Sequence, residues 1–191
     1  MPLTRRQTLL AGLAPWQTVP ARSADTGVAA LLRAGGAVAA FRHALAPGTF
    51  DPPGFALGIC ATQRNLSDEG RAQARAIGAW FTAQGLRPSR VRSSPWCRCI
   101  DTATLAFGSA QPWPALGSPA GQSAGTHAAH LKELRQALAG AARQRGSFEV
   151  WVTHMFVIAD LTGQNTDSGD GLLLVPGDGG RVKILAQLEL R

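Results

Sequence analysis

Two histidines in this 191-residue chain stand where a strand-like apolar run stops. In "GGAVAAFRHALAPG", residues 35–48, the small apolar run Ala37 to Phe41 delivers Arg42 and His43 side by side, then breaks into a Pro-Gly loop. In "SFEVWVTH", residues 147–154, branched and aromatic residues end on Thr153 and His154. A third run, "SRVRSSP", leads into "PWCRCIDTATLAF", with Arg98 just past the turn. A neutral imidazole nitrogen is a nucleophile, and the planar fork of arginine fits the oxygens of a phosphoryl group. Arginines gathered near strand ends and loops are a hint of an anionic ligand. Taken singly, each has a plainer reading as a satisfied core histidine or a surface helix arginine. Their joint placement favours chemistry.

The elements that must hold these groups alternate. "TGVAALLRAGG" reads as a short helix stopped by Gly35-Gly36, followed by the strand Ala37–Phe41 and a long loop over residues 44–65 with three prolines. Loops of that length in a compact domain are usually functional or mobile. "NLSDEGRAQARAIGAWFTAQG" is a helix capped by Ser67, with Asp68 and Glu69 where the dipole favours negative charge, Ala74, Ile77 and Phe81 at helical spacing, and Gly85 as the stop. "SRVRSSP" is a short strand and turn. "PWCRCIDTATLAF" is a helix with Pro95 in its first turn. An irregular segment, residues 108–125, leads to a helix over 126–145, the strand ending at His154, and a short helix closed by Gly163. "GLLLVPGDGGRVKILAQLEL" reads as two strands in a hairpin around "PGDGG". This order predicts an α/β three-layer sandwich, a mostly parallel central sheet with helices on both faces. Ligands of such sheets lie outside the carboxyl ends of the strands, where Arg42, His43, the "SSPWCR" turn and His154 all fall.

A composition 45% hydrophobic fits one globular domain with its own core. No apolar run is long enough to span a bilayer as a helix. The first 24 residues, "MPLTRRQTLLAGLAPWQTVPARSA", have a charged start at Arg5-Arg6, a short apolar run and then small residues, the layout of an export signal. The paired arginines fit a twin-arginine signal, and Thr8 in place of the usual aromatic leaves the general secretory route open. Cleavage after Ala21 or Ala24 gives a periplasmic or secreted domain over residues 25–191. Removal of all 24 residues also deletes Arg5, Arg6 and Arg22 from the 19 basic residues, leaving 16 against 12 acidic ones. The remaining positive charge is nearly all arginine, which points to an anionic ligand; no basic run with interleaved aromatics points to nucleic acid. An oxidising compartment favours a disulfide from Cys60 to Cys97 or Cys99, with one thiol left over.

"FRHA", "SSPWCRCIDTA" and "VTHMFVIADLTG", each closing a strand and in this order, resemble the histidine phosphatase superfamily, which includes phosphoglycerate-mutase-like enzymes and small phosphohistidine phosphatases. "TQRNLSDEGRAQA" matches the family's Leu-Ser/Thr-x-x-Gly helix start. The resemblance covers residues 35–188 and implies a phosphoglycerate-mutase-like fold. It implies His43 as the nucleophile, forming a phosphohistidine that water hydrolyses. Arg42 and Arg98 hold the phosphoryl oxygens and His154 donates to them, with no metal and no other cofactor required. Ser93, Arg64 and Asn65 are further candidates to line the pocket. Arg92 reads as structural or as a pocket-rim residue, and His127 and His130 as solvated on their helix. The chain departs from the family pattern at Ala44, where a glycine is usual, and at Met155-Phe156, which makes the pocket mouth apolar. It also has no Asp or Glu between Asp101 and Glu133, where the family's proton-donating carboxylate falls when there is one. The expected activity is a metal-independent phosphomonoesterase acting on a phosphorylated sugar or envelope glycan, the glycan by analogy with exported relatives. The alternatives are a non-catalytic phosphate-binding protein on the same fold, or a protein-phosphohistidine phosphatase.

Overall fold

Alternation along one strand decides the architecture. In β1 (Ala37–Arg42), Ala37, Ala39 and Phe41 join one apolar cluster, while Val38 and Ala40 join another. A strand buried on both sides needs helices over each face. The structure, a computed structural model describing residues 22–120 and 122–190, supplies them. Helices α1 (Arg22–Ala34), α2 (Asp68–Ala83) and α3 (Cys97–Phe107) cover one face, and α4 (Ala124–Ala141) and α5 (Met155–Thr162) the other. The remaining strands are β2 (Arg90–Ser93), β3 (Gln111–Pro112), β4 (Phe148–Thr153), β5 (Gly171–Pro176) and β6 (Val182–Leu188). They form one sheet in the order β3-β2-β4-β1-β5-β6. The first four strands in sequence run parallel, and β5 and β6 add an antiparallel hairpin at one side. This is the three-layer sandwich expected from the sequence. Of the expected export segment, residues 1–24, all but the last three lie outside the described residues.

Register is what assembles the site. β1 and β4 are parallel neighbours with Arg42 opposite Thr153, so the next residue of each, His43 and His154, leaves the sheet at the same level. The His43 N–H still donates to the Thr153 carbonyl at 2.9 Å. β2 pairs with β4 with Ser93 opposite Val152, which brings Ser94 beside the same two tips.

Helix α2 begins as its sequence demands. Ser67 accepts the Gly70 N–H on its hydroxyl at 3.1 Å, a cap worth about 1 kcal/mol. Gly70 itself has no room for a side chain, because an added Cβ would collide with the Leu45 carbonyl in the loop that follows His43. The start of α2 is thereby clamped against the loop that follows His43.

Three element boundaries differ from expectation. Trp96 caps α3 and Cys97 is its first residue, so Pro95 precedes the cap instead of occupying the first turn. Helix α4 runs over residues 124–141, because the Ser123 hydroxyl caps it earlier by accepting the Thr126 N–H. The segment called irregular contains β3, a two-residue edge strand that exists only through pairing with β2, and a short 3-10 turn at Pro114–Leu116. Cys60 is bonded to Cys97, with Cα atoms 5.6 Å apart, and Cys99 is the buried free thiol. The bridge ties the long loop to the first residue of α3.

Candidate active site

His43 is 2% exposed at the carboxyl end of β1. Its Nδ1 lies 2.8 Å from the Ala44 carbonyl oxygen. A carbonyl can only accept, so Nδ1 carries the proton and the neutral ring keeps a lone pair on Nε2. Burial, reinforced by Arg98, Arg64 and Arg42 and opposed by the Ala44 contact, pushes the His43 pKa down to about 3. The ring is therefore neutral at any ordinary pH. The Ala44 N–H donates to Thr102 Oγ1, whose hydroxyl donates to the Arg98 carbonyl. This chain of bonds fixes the turn after His43 to α3.

Three guanidiniums surround this ring. Arg42 donates through Nη1 to the Thr166 carbonyl at 2.9 Å. Arg64 donates through Nη1 to the carbonyls of Ala46 and Gly48. Arg98, 4% exposed, places its fork on Asp51, Nη1 to Oδ1 at 2.8 Å and Nη2 to Oδ2 at 3.2 Å. The Nε–H groups of Arg42, Arg64 and Arg98 are all buried without a partner. Buried donors left unpaired are costly, and three together mark a place where an anion's oxygens would be welcome.

Asp51 was not singled out from the sequence. Besides the Arg98 fork, its carboxylate accepts the Arg64 N–H at 2.9 Å and Trp96 Nε1–H at 3.1 Å. Burial works to raise its pKa, but these donors outweigh burial and hold the carboxyl below the usual carboxylate range. No sequence spacing links a residue of the 44–65 loop to α3, so only the fold could reveal the pair.

His154 caps the start of α5 with its ring 5.5 Å from that of His43, centre to centre. Ser94 Oγ lies 2.8 Å from its Nε2, which leaves Nδ1 for a ligand. Burial and then the neighbouring His43 and arginines lower its pKa well below that of a free histidine. Beneath it, burial pushes the Cys99 thiol up to about 12, so this sulfur is a packing group and not a nucleophile.

The cavity over these groups holds about 470 Å³. Of the candidate residues, Arg42, His43, Arg64, Arg98 and His154 line it, whereas Ser93 and Asn65 do not. Ser93 is fully buried within the sheet, one residue short of Ser94, which does touch His154. Asn65 turns its amide onto the Cys60 and Gln63 carbonyls and so shapes the loop instead. Arg92 is structural, stacked 4.4 Å over Trp113 and facing buried Glu149. His127 and His130 are half-buried, each with a partner, Asp160 and Gln122. The cavity's walls are apolar: Phe50, Phe55, Trp96, Met155 and Phe156. A larger hollow of about 620 Å³ near the start of β2 is lined by neither histidine nor carboxylate.

A buried neutral imidazole ringed by three guanidiniums is an arrangement that suits a phosphoryl group. Residues 60–120 match the sequence profile of the histidine phosphatase superfamily (branch 1), a stretch that contains Arg98 but neither histidine. No curated protein sequence matches the chain. Among solved structures, the protein histidine phosphatase SixA complexed with tungstate is 20% identical, with 80% of this chain and 96% of that one covered and a TM-score of 0.53. A mycobacterial glucosyl-3-phosphoglycerate phosphatase is 15% identical, over 78% and 97%, with a TM-score of 0.55. A phosphoserine phosphatase from Entamoeba histolytica in complex with 3-phosphoglyceric acid is 12% identical, over 80% and 96%, with a TM-score of 0.57. At these identities the structures speak for the fold. The profile match falls on the part of that fold that carries Arg98 and the start of α3.

Proposed function

We propose that the chain is a metal-independent phosphomonoesterase that works through a phosphohistidine on His43. The observation that carries this reading is the orientation of that ring: Nδ1 is committed to the Ala44 carbonyl, and Nε2 is left as a lone pair amid three guanidiniums whose Nε–H groups are buried without a partner. A phosphate monoester enters with its oxygens toward Arg42, Arg64 and Arg98, and His154 donates to one of them. Nε2 attacks phosphorus in line, the P–O bond to the alcohol breaks, and the arginines hold the charge on the equatorial oxygens. Water then attacks the phosphohistidine on the same axis and returns His43 to its starting state. The arginine frame supplies the positive charge that other phosphatases draw from metal ions.

The substrate is a phosphorylated small molecule, with a phosphorylated sugar or an envelope glycan as the reading that fits export. Neighbours in fold act on such molecules, among them glucosyl-3-phosphoglycerate and phosphoserine. The test is turnover of p-nitrophenyl phosphate in EDTA by the wild type and by His43→Ala. Turnover in the first and none in the second is expected. Quenching in alkali after brief reaction should trap a base-stable, acid-labile phosphoryl group on His43. Persistent turnover by His43→Ala, or its loss with EDTA, would overturn the mechanism.

A further inference from the structure

A phosphomonoesterase must put a proton on the departing alcohol oxygen, since an alkoxide is too basic to leave unaided. The sequence leaves this position empty where the family keeps it. Among the described residues, Asp51 is the one carboxylate lining the cavity. Glu69 and Asp167 face a separate cleft on the far side of Arg42. Asp51 also lies across the Arg98 fork, on the donors a phosphate would need. Phosphate and carboxylate cannot both hold that fork, so an arriving ester displaces Asp51. The Asp51 side chain is itself 9% exposed, but it follows Phe50, 76% exposed, on the loop that walls the cavity, whereas His43 is 2% exposed at the end of β1. In-line attack by His43 sends the alcohol oxygen away from β1, into the cavity that Asp51 also lines.

We propose that Asp51 is the proton donor to the leaving alcohol, and that it receives its proton from the substrate when the phosphate takes Arg98 from it. This rests on the phosphatase reading above. The ester binds as its monoanion and gives its proton to the Asp51 carboxylate; the resulting dianion settles on the arginines. As the His43 Nε2–P bond forms and the P–O bond breaks, Asp51 passes the proton to the alcohol oxygen, and neutral alcohol departs. The carboxylate then takes a proton from the incoming water as its oxygen bonds to phosphorus and the P–N bond breaks. Asp51 returns that proton to the phosphate and closes again on Arg98. The sum is ester monoanion plus water giving alcohol plus dihydrogen phosphate.

The experiment compares n-butyl phosphate, whose alcohol needs the proton, with p-nitrophenyl phosphate, whose phenolate departs without it. Asp51→Asn should lower kcat/KM for butyl phosphate on the order of 100-fold or more, the usual worth of a general acid. p-Nitrophenyl phosphate should lose far less, and Asp167→Asn should leave both rates unchanged. Equal losses on the two substrates would make Asp51 a brace for Arg98, and equal gains a mere plug; either result overturns the assignment. If Asp51→Asn does not fold, the wild type decides on a series of phenyl phosphates. A rate nearly independent of phenol acidity supports a donor, and a steep dependence overturns it. Wild type inert on every ester would instead bring down the phosphatase reading, and this assignment with it.

Discussion

Lowering the pH from 7 to 4 should cost this protein several kcal/mol of stability, and replacing His43 should remove a large share of that loss. The ring's pKa falls from 6.5 in the unfolded chain to about 3 in the folded one, chiefly through burial. Between those values the unfolded chain binds a proton that the folded chain refuses. Stability from this group is thus complete above the unfolded pKa and is lost as pH falls through the window toward 3. Two-state linkage with these values gives a loss of about 3 kcal/mol between pH 7 and pH 4 from His43 alone. His154, shifted in the same direction, adds to it. The assay is urea unfolding at pH 7, 6, 5 and 4 on wild type and His43→Asn, whose amide N–H can still donate to the Ala44 carbonyl but does not titrate. The wild type should lose about 3 kcal/mol more than the variant over that range. Parallel curves would show that the imidazole is not held neutral by its surroundings, and the nucleophile argument would lose its footing.

Arg98→Ala should lower kcat/KM on the order of 100-fold or more, since it removes two preorganised donors from the phosphoryl pocket, and His154→Ala should be similarly damaging; steady-state kinetics on p-nitrophenyl phosphate checks both. Thiol titration of unreduced protein should find one thiol, and only after denaturation, because Cys99 is buried. Replacing Cys60 and Cys97 together by serine should cost about 4 kcal/mol, the loop entropy for their sequence separation of 37, measured by chemical unfolding. Mass spectrometry of protein recovered from its native host should show residues up to Ala21 or Ala24 removed; a retained Met1 or Pro2 would count against export. The aromatic walls at Phe50 and Phe156 should favour phenyl phosphate over glycerol phosphate in kcat/KM, and Phe50→Ala with Phe156→Ala should shrink that preference.

Much of the site was legible because strand tips announce themselves. An apolar run that ends on a charged or imidazole side chain must bring that side chain out at the sheet's edge, and Arg42-His43 and Thr153-His154 both obey this rule. The Ser67 cap and the closing hairpin were legible for equally local reasons, a hydroxyl before an acidic turn and glycines between two apolar runs. What escaped depends on contacts distant in sequence. β3 exists only because β2 offers it an edge. Trp96, and not Pro95, opens α3, where the backbone of Cys97 is held by Gln63. Asp51 lies in a loop with no periodic pattern, and nothing in its neighbours names Arg98 as its partner. The choice of Cys97 over Cys99 as the partner of Cys60 follows from the direction each side chain takes at the start of α3, one toward the loop and the other into the core.

The position of β4 governs when this enzyme can come into being. It is the last of the parallel strands to be synthesised, yet it lies between β2 and β1, which touch each other nowhere in the finished sheet. A chain that stops short of residue 148 already contains His43, Asp51 and Arg98, but the slot that would align them is open. Pairings this distant in sequence close slowly, after the local helices have formed. The alignment of His43 with His154 therefore waits on one late event, the insertion of a six-residue strand. In nascent, nicked or half-threaded chains His43 is present, and nothing holds it level with His154.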